Sequence, residues 1–328
     1  MESITKNRQS LDALKSMIER AYGPGRVPVG DDIADELGHG WFNVAYRVRL
    51  ADGAEVVLKI APPADVEVMS YEHEMMRNEL TALALVQEHT GVPVPRIDFA
   101  DTTRTLCDAD WFTMPYIDAD NFGVLLESGR VAPDESDLLH EQLGAVTREL
   151  NSVIGPHFGP LRGPGFATWR EAFTGMIGDV LRDGERADVD LGRSYAELRE
   201  VVAAHADALD EVVEPRFVEW DLWPGNTMVR DGRIVAIIDH ERALWGDPLI
   251  EGGFTGIDLA AFGDPSAFLR GYGRDAADLT ETERRRRRLY TLYLVLVMIV
   301  ETRYRGHAEP WQYDWSRARL DELMPLFG

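Results

Sequence analysis

Cysteine is nearly absent from this sequence, since Cys107 is the only one among 328 residues. A single thiol cannot form a disulfide within the chain, and such low cysteine usage is typical of a reducing compartment. The first eight residues, Met1 to Arg8, also lack the apolar segment of a secretory signal. We therefore predict a cytoplasmic protein.

Basic residues are scarce as well, with 34 lysines and arginines against 57 aspartates and glutamates and a formal charge of −23. This charge repels nucleic-acid phosphates and anionic membranes, so we expect neither as a partner. A cationic small molecule is compatible with it, and an acidic surface that serves only solubility is an equally open interpretation. The sequence gives no indication of an oligomeric state.

Long apolar runs are missing too. The longest, Leu289–Val300, ends at Glu301 and is shorter than the roughly 20 residues of a membrane-spanning helix. We predict a buried helix there. The five arginines before it, Arg284–Arg288, are expected to form a solvated, salt-bridged turn rather than an anion site.

Near the middle of the chain, apolar runs alternate with polar residues that could act as a base or as metal ligands. Two β-branched runs, within 217–229 and 234–239, flank the pair Asp231-Gly232 and predict a hairpin. Asp221, Asn226 and Asp239 would lie at its ends. A base for an attacking hydroxyl and two oxygen ligands for Mg²⁺ at this spacing are typical of phosphoryl transfer, although each residue alone is also compatible with turn chemistry.

The N-terminal part of the chain predicts a nucleotide-binding sheet. Residues 33–61 read as strand, glycine loop, strand, tight turn and strand, with Gly38 and Gly40 in the loop and Lys59 in the third strand. In a nucleotide kinase the glycines let backbone approach the phosphates and the lysine contacts them. We choose Glu79, in a helix predicted over 71–89, as the anionic partner of that lysine.

Strands are next predicted at 96–100 and 111–117. The second would be the inter-lobe hinge, with Pro115 accepting and Ile117 donating a hydrogen bond to adenine, although an edge strand with a proline explains the pattern almost as well. Helices are predicted over 11–21, 134–153, 167–183, 194–211, 257–262, 275–305 and 315–326. The predicted fold class is α+β. It combines a small β-rich lobe with one main helix (1–116) and a larger α-rich lobe (117–328).

In this order, the pieces resemble the aminoglycoside phosphotransferase and choline kinase group of small-molecule kinases, which share the protein-kinase fold. The resemblance spans roughly Glu36 to Asp247. Its matching stretches are Gly38-His-Gly40-Trp-Phe-Asn43, Val57-Leu-Lys59, Trp220-Asp221-Leu-Trp-Pro-Gly-Asn226, Ile237-Ile-Asp239 and Trp245-Gly-Asp247-Pro248. The resemblance implies that Asp221 is the base and that Asn226 and Asp239 hold Mg²⁺. It also implies that Lys59, paired with Glu79, positions the triphosphate of ATP, with GTP not excluded.

One position departs from the family pattern. Members usually carry a scaffold histidine two residues before the catalytic aspartate, where this chain has Glu219. A glutamate there must be protonated or meet N–H donors. On a strand, Glu219 and Asp221 would also face the same side, where like charges raise the pKa of one of them. We expect activity to survive with an altered pH profile.

The acceptor is the least determined part of the site. Candidate contacts are Trp169, Arg170, Trp223, Glu241, Glu251 and Asp258, for which packing or a surface salt bridge is an equally good explanation. Three functions stay open. They are O-phosphorylation of an aminoglycoside-like antibiotic or amino sugar, phosphorylation of another hydroxylated metabolite or antibiotic, and an inactive kinase fold that serves as a binding module.

Overall fold

The computed structural model describes residues 3–38 and 40–328, so His39 of the predicted glycine loop lies outside the described residues. The chain forms two compact units. The first comprises the residues up to Val68 together with Pro95–Asp118 and Tyr304–Ala308, and the second comprises Met69–Val94, Ala119–Arg303 and Glu309–Gly328. The predicted lobe boundary after residue 116 stays a prediction.

The first unit is built on an antiparallel sheet, which has five strands within the described residues. The strands are β1 (Ala34–Glu36), β2 (Val44–Arg49), β3 (Glu55–Ile60), β4 (Phe99–Asp101) and β5 (Trp111–Pro115), in the spatial order β1-β2-β3-β5-β4. In β3, Lys59 lies opposite Ala45 on one side and Phe112 on the other. The strand predicted at 96–100 is shorter and lies further along the chain, at Phe99–Asp101.

Helix α1 (Leu11–Tyr22) covers this sheet, as its apolar spacing predicts. Ser10 caps the helix by accepting a hydrogen bond from the Ala13 N–H. The buried side chains of Leu14, Met17 and Ile18 join the strand residues in one core. The first unit therefore has a hydrophobic core of its own.

The second unit is mainly helical, as predicted. Its α-helices are α2 (Met75–His89), α3 (Phe122–Glu127), α4 (Pro133–Leu150), α5 (Trp169–Arg186), α6 (Tyr195–His205), α7 (Ser266–Tyr272), α8 (Glu281–Arg305, whose last two residues belong to the first unit) and α9 (Trp311–Leu323). Several predicted bounds need correction. Helix α2 begins at Met75 rather than at residue 71, because Glu74 has a left-handed backbone with φ of 61°. Residues 206–211, 252–257 and 260–262 form 3-10 helices.

Helix α2 is the main helix that the sequence predicts for the smaller lobe, but it belongs to the second unit. The reason is visible at Asn78, whose side-chain amide donates to the backbone carbonyls of Glu241 (2.9 Å) and Ala243 (2.8 Å). Two buried backbone acceptors are thus satisfied by one residue of α2. These bonds fix the helix to the segment that follows Asp239.

Two small sheets position the candidate site within the second unit. One joins β10 (Arg233–Ile237), β9 (Thr227–Arg230) and β6 (Asp120–Asn121), and the other joins β7 (Gly159–Pro160), β11 (Leu244–Gly246) and β8 (Arg216–Val218). The hairpin of β9 and β10 is confirmed. Its turn residues Asp231 and Gly232 have φ of 52° and 69°, the two positive values that a tight hairpin turn requires.

The arginine run before the apolar part of α8 differs from its prediction. Arg286 and Arg287 are buried rather than solvated. Each has an inward-facing carboxylate partner: Arg286 lies 2.9 Å from Asp247, and Arg287 lies 3.2 Å from Asp258. A buried guanidinium requires such a partner, which local sequence spacing did not reveal. Among the described residues, no helix combines the length and apolar character needed to cross a bilayer.

Candidate active site

The chain turns sharply between strand β8 and Asp221. The strand ends at Val218, and Trp220 has a left-handed backbone with φ of 38°. The prediction that Glu219 and Asp221 share one face of a strand is therefore wrong, because neither residue lies in a strand. The charge of Glu219 still adds to the effect of burial in raising the pKa of Asp221. A 3-10 turn at Pro224–Asn226 follows.

Hydrogen bonds hold Asp221, Asn226 and the segment before Asp239 together at one end of the hairpin. The Asn226 side-chain amide donates to the Asp221 carbonyl (2.9 Å), and the Ile238 N–H donates to the Asn226 carbonyl (3.0 Å). The first bond directs the Asn226 amide nitrogen to the backbone and leaves its amide oxygen as the candidate ligand atom. The predicted base, one candidate metal ligand and the residue before the other thus belong to one hydrogen-bonded assembly.

Asp239 adopts a left-handed backbone, with φ of 68° and ψ of 57°, just before the 3-10 turn His240–Arg242. One carboxylate oxygen from each of Glu79, Asp239 and Glu241 lies within 4.8 Å of the others. Glu79 and Glu241 are buried, 3% and 6% exposed. Oxygen donors gathered in this way are the ligand type that Mg²⁺ prefers. Glu241, predicted to contact the acceptor, thus lies beside Asp239, the predicted metal ligand.

The environment of Asp221 shifts its titration toward neutral pH. Burial raises the pKa of its carboxyl to about 6, Arg242 opposes this shift and the neighbouring charge of Asp239 adds to it. The side chain is 30% exposed, so the carboxylate is still open to an incoming hydroxyl. A carboxyl group with this pKa is mostly ionised at pH 7, as a base for an acceptor hydroxyl requires.

Arg242 is a site residue that sequence reasoning missed. Its Nε lies 3.4 Å from Oδ2 of Asp221, and its Nη2 lies 3.3 Å from Oε2 of Glu301. The guanidinium is also stacked on the rings of Tyr71 and Trp220, 5.5 and 5.1 Å from their centroids. A signal was present, since Arg242 follows the predicted ligand Asp239 by only three positions.

Glu219, the residue in the usual histidine position, has a histidine as its partner. Its Oε1 lies 2.7 Å from Nδ1 of His240, and Nε2 of that ring lies 3.1 Å from the Ile237 carbonyl. Burial opposes the imidazolium, but the carboxylate of Glu219 raises the pKa of His240 above its ordinary value. The histidine that is absent two residues before Asp221 is therefore supplied by the segment that follows Asp239.

Glu251 supports the loop before Asp221 through a hydrogen bond to its backbone. Its Oε1 accepts from the Glu219 N–H (3.0 Å) and from the Asn151 side chain (2.8 Å). Burial raises the pKa of Glu251 to about 8, against the effect of these donors. The side chain is 1% exposed. We assign Glu251, predicted as an acceptor contact, to the support of the loop.

The other predicted acceptor contacts divide by exposure. Trp223 is 49% exposed. It lies over Gly225, where an added Cβ would come within 2.3 Å of the ring, so this glycine permits the tryptophan position. Trp169 is fully buried and donates to the Tyr290 hydroxyl. Arg170 pairs with Asp210 on the surface, whereas Asp258 is engaged by Arg287 and Thr291.

The first unit contains the residues predicted to bind the nucleotide. Lys59 is buried in β3, Pro115 ends β5 and is exposed, and Ile117 is half-buried. An added Cβ would meet no atom within 4 Å at Gly38 and none closer than 3.6 Å at Gly40. Packing therefore does not require glycine at either place. The pairing of Lys59 with Glu79 joins residues of different units and stays a prediction.

The chain matches the model of the phosphotransferase enzyme family over residues 34–290 and therefore belongs to that family. It is accordingly a small-molecule kinase, a phosphotransferase with an alcohol group as acceptor, as the sequence predicts. No curated protein sequence matches the chain.

Solved structures support the same fold. Aminoglycoside phosphotransferase APH(4)-Ia, as a thermostable mutant, is 18% identical with a TM-score of 0.65, covering 94% of this chain and 97% of its own. A proposed fructosamine-3-kinase from Thermobifida fusca is 23% identical with a TM-score of 0.62, covering 95% of this chain and 100% of its own. The predicted kinase-like fold is thereby confirmed.

APH(4)-Ia has also been solved as a ternary complex with AMP-PNP and hygromycin B. That structure is 18% identical to this chain with a TM-score of 0.65, covering 95% of this chain and 97% of its own.

Proposed function

We propose that this protein transfers the γ-phosphate of ATP to a hydroxyl group of a small molecule in a Mg²⁺-dependent reaction. The observation that carries the proposal is the hydrogen-bonded assembly of Asp221, Asn226 and the segment ending in Asp239. Asp221 accepts or orients the proton of the acceptor hydroxyl, and its pKa of about 6 suits that task. Phosphoryl transfer otherwise requires positioning and charge neutralisation from the protein.

The residues present fit a magnesium ion. Asn226 and Asp239 are the proposed ligands, and the carboxylates of Glu79 and Glu241 add negative charge within 4.8 Å of the aspartate. Asn226 and Asp239 would hold the ion beside the transferred phosphate, where it would supply positive charge against the charge that develops during transfer. Four oxygen-bearing side chains and no sulfur or imidazole in this donor set favour Mg²⁺ over a softer metal.

Nucleotide binding is proposed for residues of the first unit. Gly38 and Gly40 would let the backbone approach the phosphates, Lys59 would contact the α- and β-phosphates with Glu79 as its partner, and Pro115 and Ile117 would bind adenine through backbone atoms. ATP is supported by the AMP-PNP complex of APH(4)-Ia, and GTP stays an alternative. A cytoplasmic location and lobes divided after residue 116 belong to the same proposal.

The first candidate acceptor is an aminoglycoside-like antibiotic or amino sugar, which would give the protein a role in antibiotic resistance. The charge of −23 favours a cationic acceptor, and the hygromycin B complex of APH(4)-Ia agrees with this class. A second candidate is another hydroxylated metabolite or antibiotic. Arg242 favours it, because a cation 3.4 Å from Asp221 disfavours an ammonium group close to the reacting hydroxyl. Trp223, as an exposed ring, would stack on either acceptor.

The test is ADP formation from Mg-ATP across aminoglycosides, amino sugars, neutral sugars and fructosamines, with GTP in parallel. Asp221→Asn is the matched control, because it keeps the backbone carbonyl that binds Asn226 while removing the base. We expect one acceptor class to stimulate ADP formation and the control to lose roughly 100-fold or more in kcat. Tight Mg-ATP binding without turnover of any acceptor would instead support an inactive binding module.

A further inference from the structure

Two unfavourable backbone turns lie beside the reacting groups. Trp220, directly before the base Asp221, has φ of 38°, and Asp239, the proposed metal ligand, has φ of 68°. Left-handed conformations cost free energy for residues other than glycine and persist only where the surroundings enforce them. Something in the second unit must therefore hold both turns.

The Glu219–His240 pair is placed to do so. Glu219 directly precedes Trp220, and His240 directly follows Asp239. The 2.7 Å contact between Glu219 Oε1 and His240 Nδ1 thus links the two turns to each other. The side chains of both residues are at most 4% exposed. In such a dry environment a charge-assisted hydrogen bond is strong and its loss leaves a partner unpaired.

Both ends of the pair are anchored to the rest of the unit. On one side, the Glu219 N–H donates to Glu251, which also accepts from Asn151, and Tyr272 donates to Asn151 (2.9 Å). On the other side, Nε2 of His240 contacts the carbonyl of Ile237 in strand β10. The result is a continuous chain of polar contacts from helix α7 to the hairpin.

We propose that Glu219 and His240 are positioning residues that fix the backbone at Trp220 and Asp239, and so set the base against the metal-binding aspartate. The pair takes over the task of a single scaffold histidine by dividing it between an acid in one loop and an imidazole in the other. Neither side chain touches substrate in this role. The inference rests on the proposed phosphotransferase function for its kinetic consequence, but its structural claim can be tested without turnover.

The test compares wild type with Glu219→Gln, His240→Gln and the exchanged double variant Glu219→His/His240→Glu. In the metal-free proteins, we expect each single variant to increase amide hydrogen exchange in peptides covering 217–226 and 237–242. In the active enzyme, kcat should fall roughly 10- to 100-fold because the reacting groups are misplaced, while KM for the acceptor changes little. The exchanged pair should recover part of both losses.

Asp101→Asn serves as the matched control, since it also neutralises a buried carboxylate but lies on β4 in the first unit. It should lower Tm without changing exchange in the two peptides or kcat. The inference is overturned if the single variants leave exchange in those peptides unchanged, or if the exchanged pair recovers nothing beyond the worse single variant. Should wild type phosphorylate no acceptor, the proposed function fails while hydrogen exchange still decides the positioning role.

Discussion

Arg242 and Asp221 form an ion pair across the candidate active site, with 3.4 Å between the arginine Nε and the aspartate Oδ2. Glu301 shares the same guanidinium at 3.3 Å. The proposed catalytic carboxylate is therefore not isolated, because a fixed cation opposes the rise in its pKa that burial causes.

This pair predicts how Asp221 titrates. In the metal-free protein we expect its pKa near 6, and Arg242→Gln should raise it because burial and the charge of Asp239 then act without opposition. Aspartate-selective ¹³C labelling would follow the carboxyl shift against pH, with Asp221→Asn to assign the signal. Arg242→Lys keeps a cation and should move the pKa less. An unchanged pKa in Arg242→Gln would show that the arginine does not control the base.

In the glycine loop, we expect a substitution to weaken ATP binding without lowering the stability of the fold. Gly38→Ala should raise KM for ATP by roughly 10-fold, because the methyl group obstructs backbone contact with a charged phosphate, while Tm stays constant. No packing conflict is expected, since an added Cβ there meets nothing within 4 Å. Gly53→Ala is the opposite control. Its φ of 85° makes alanine strained, so Tm should fall while KM for ATP does not change. Loss of Tm in Gly38→Ala would mean a structural role.

Glu251 predicts a pH dependence of stability. Burial raises the pKa of Glu251 in the folded protein to about 8, above the 4.5 of an ordinary glutamate. Its contribution to stability is therefore complete below pH 4.5 and is lost as pH rises through 8. Glu251→Gln cannot ionise and should escape this loss. We expect the variant to gain roughly 1 kcal/mol or more over wild type between pH 6 and pH 8 in urea unfolding. A constant difference across that range would show that Glu251 does not titrate there.

Trp223 predicts a specificity effect. Trp223→Ala should lower kcat/KM for the acceptor by roughly 10-fold through lost stacking, with little change in Tm because the ring is half-exposed. Trp223→Phe keeps an aromatic face and should retain most of the activity. KM for ATP provides the internal reference, since the ring is proposed to contact the acceptor alone. A rise in KM for ATP of the same size would place the ring elsewhere.

Local pattern was sufficient for much of the fold. The Asp231-Gly232 pair specified the hairpin turn, and apolar spacing specified α1, because both signals depend on neighbours a few residues apart. The start of α2 was predicted wrongly because it does not depend on neighbouring residues alone. A left-handed residue at Glu74 and the anchoring of Asn78 to carbonyls more than 160 positions away depend on tertiary contacts.

The candidate site shows the same division. The roles of Asp221, Asn226 and Asp239 were predicted from their spacing within one short segment and stay predictions. Their polar partners were not predicted: Arg242 depends on Glu301, 59 positions later. A buried acid at Glu219 requires a hydrogen-bond donor. That donor is His240, one residue after the predicted ligand Asp239.

The Glu219–His240 contact also has a consequence for how such enzymes diverge. The two residues are 21 positions apart and come from different loops, yet each makes sense only beside the other. Loss of His240 alone leaves the buried carboxylate of Glu219 without this donor, and loss of Glu219 alone leaves the imidazole without its acid partner. We therefore expect the two positions to vary together among related sequences. A kinase lacking the familiar histidine should therefore be examined at the residue after its metal-binding aspartate before it is judged inactive.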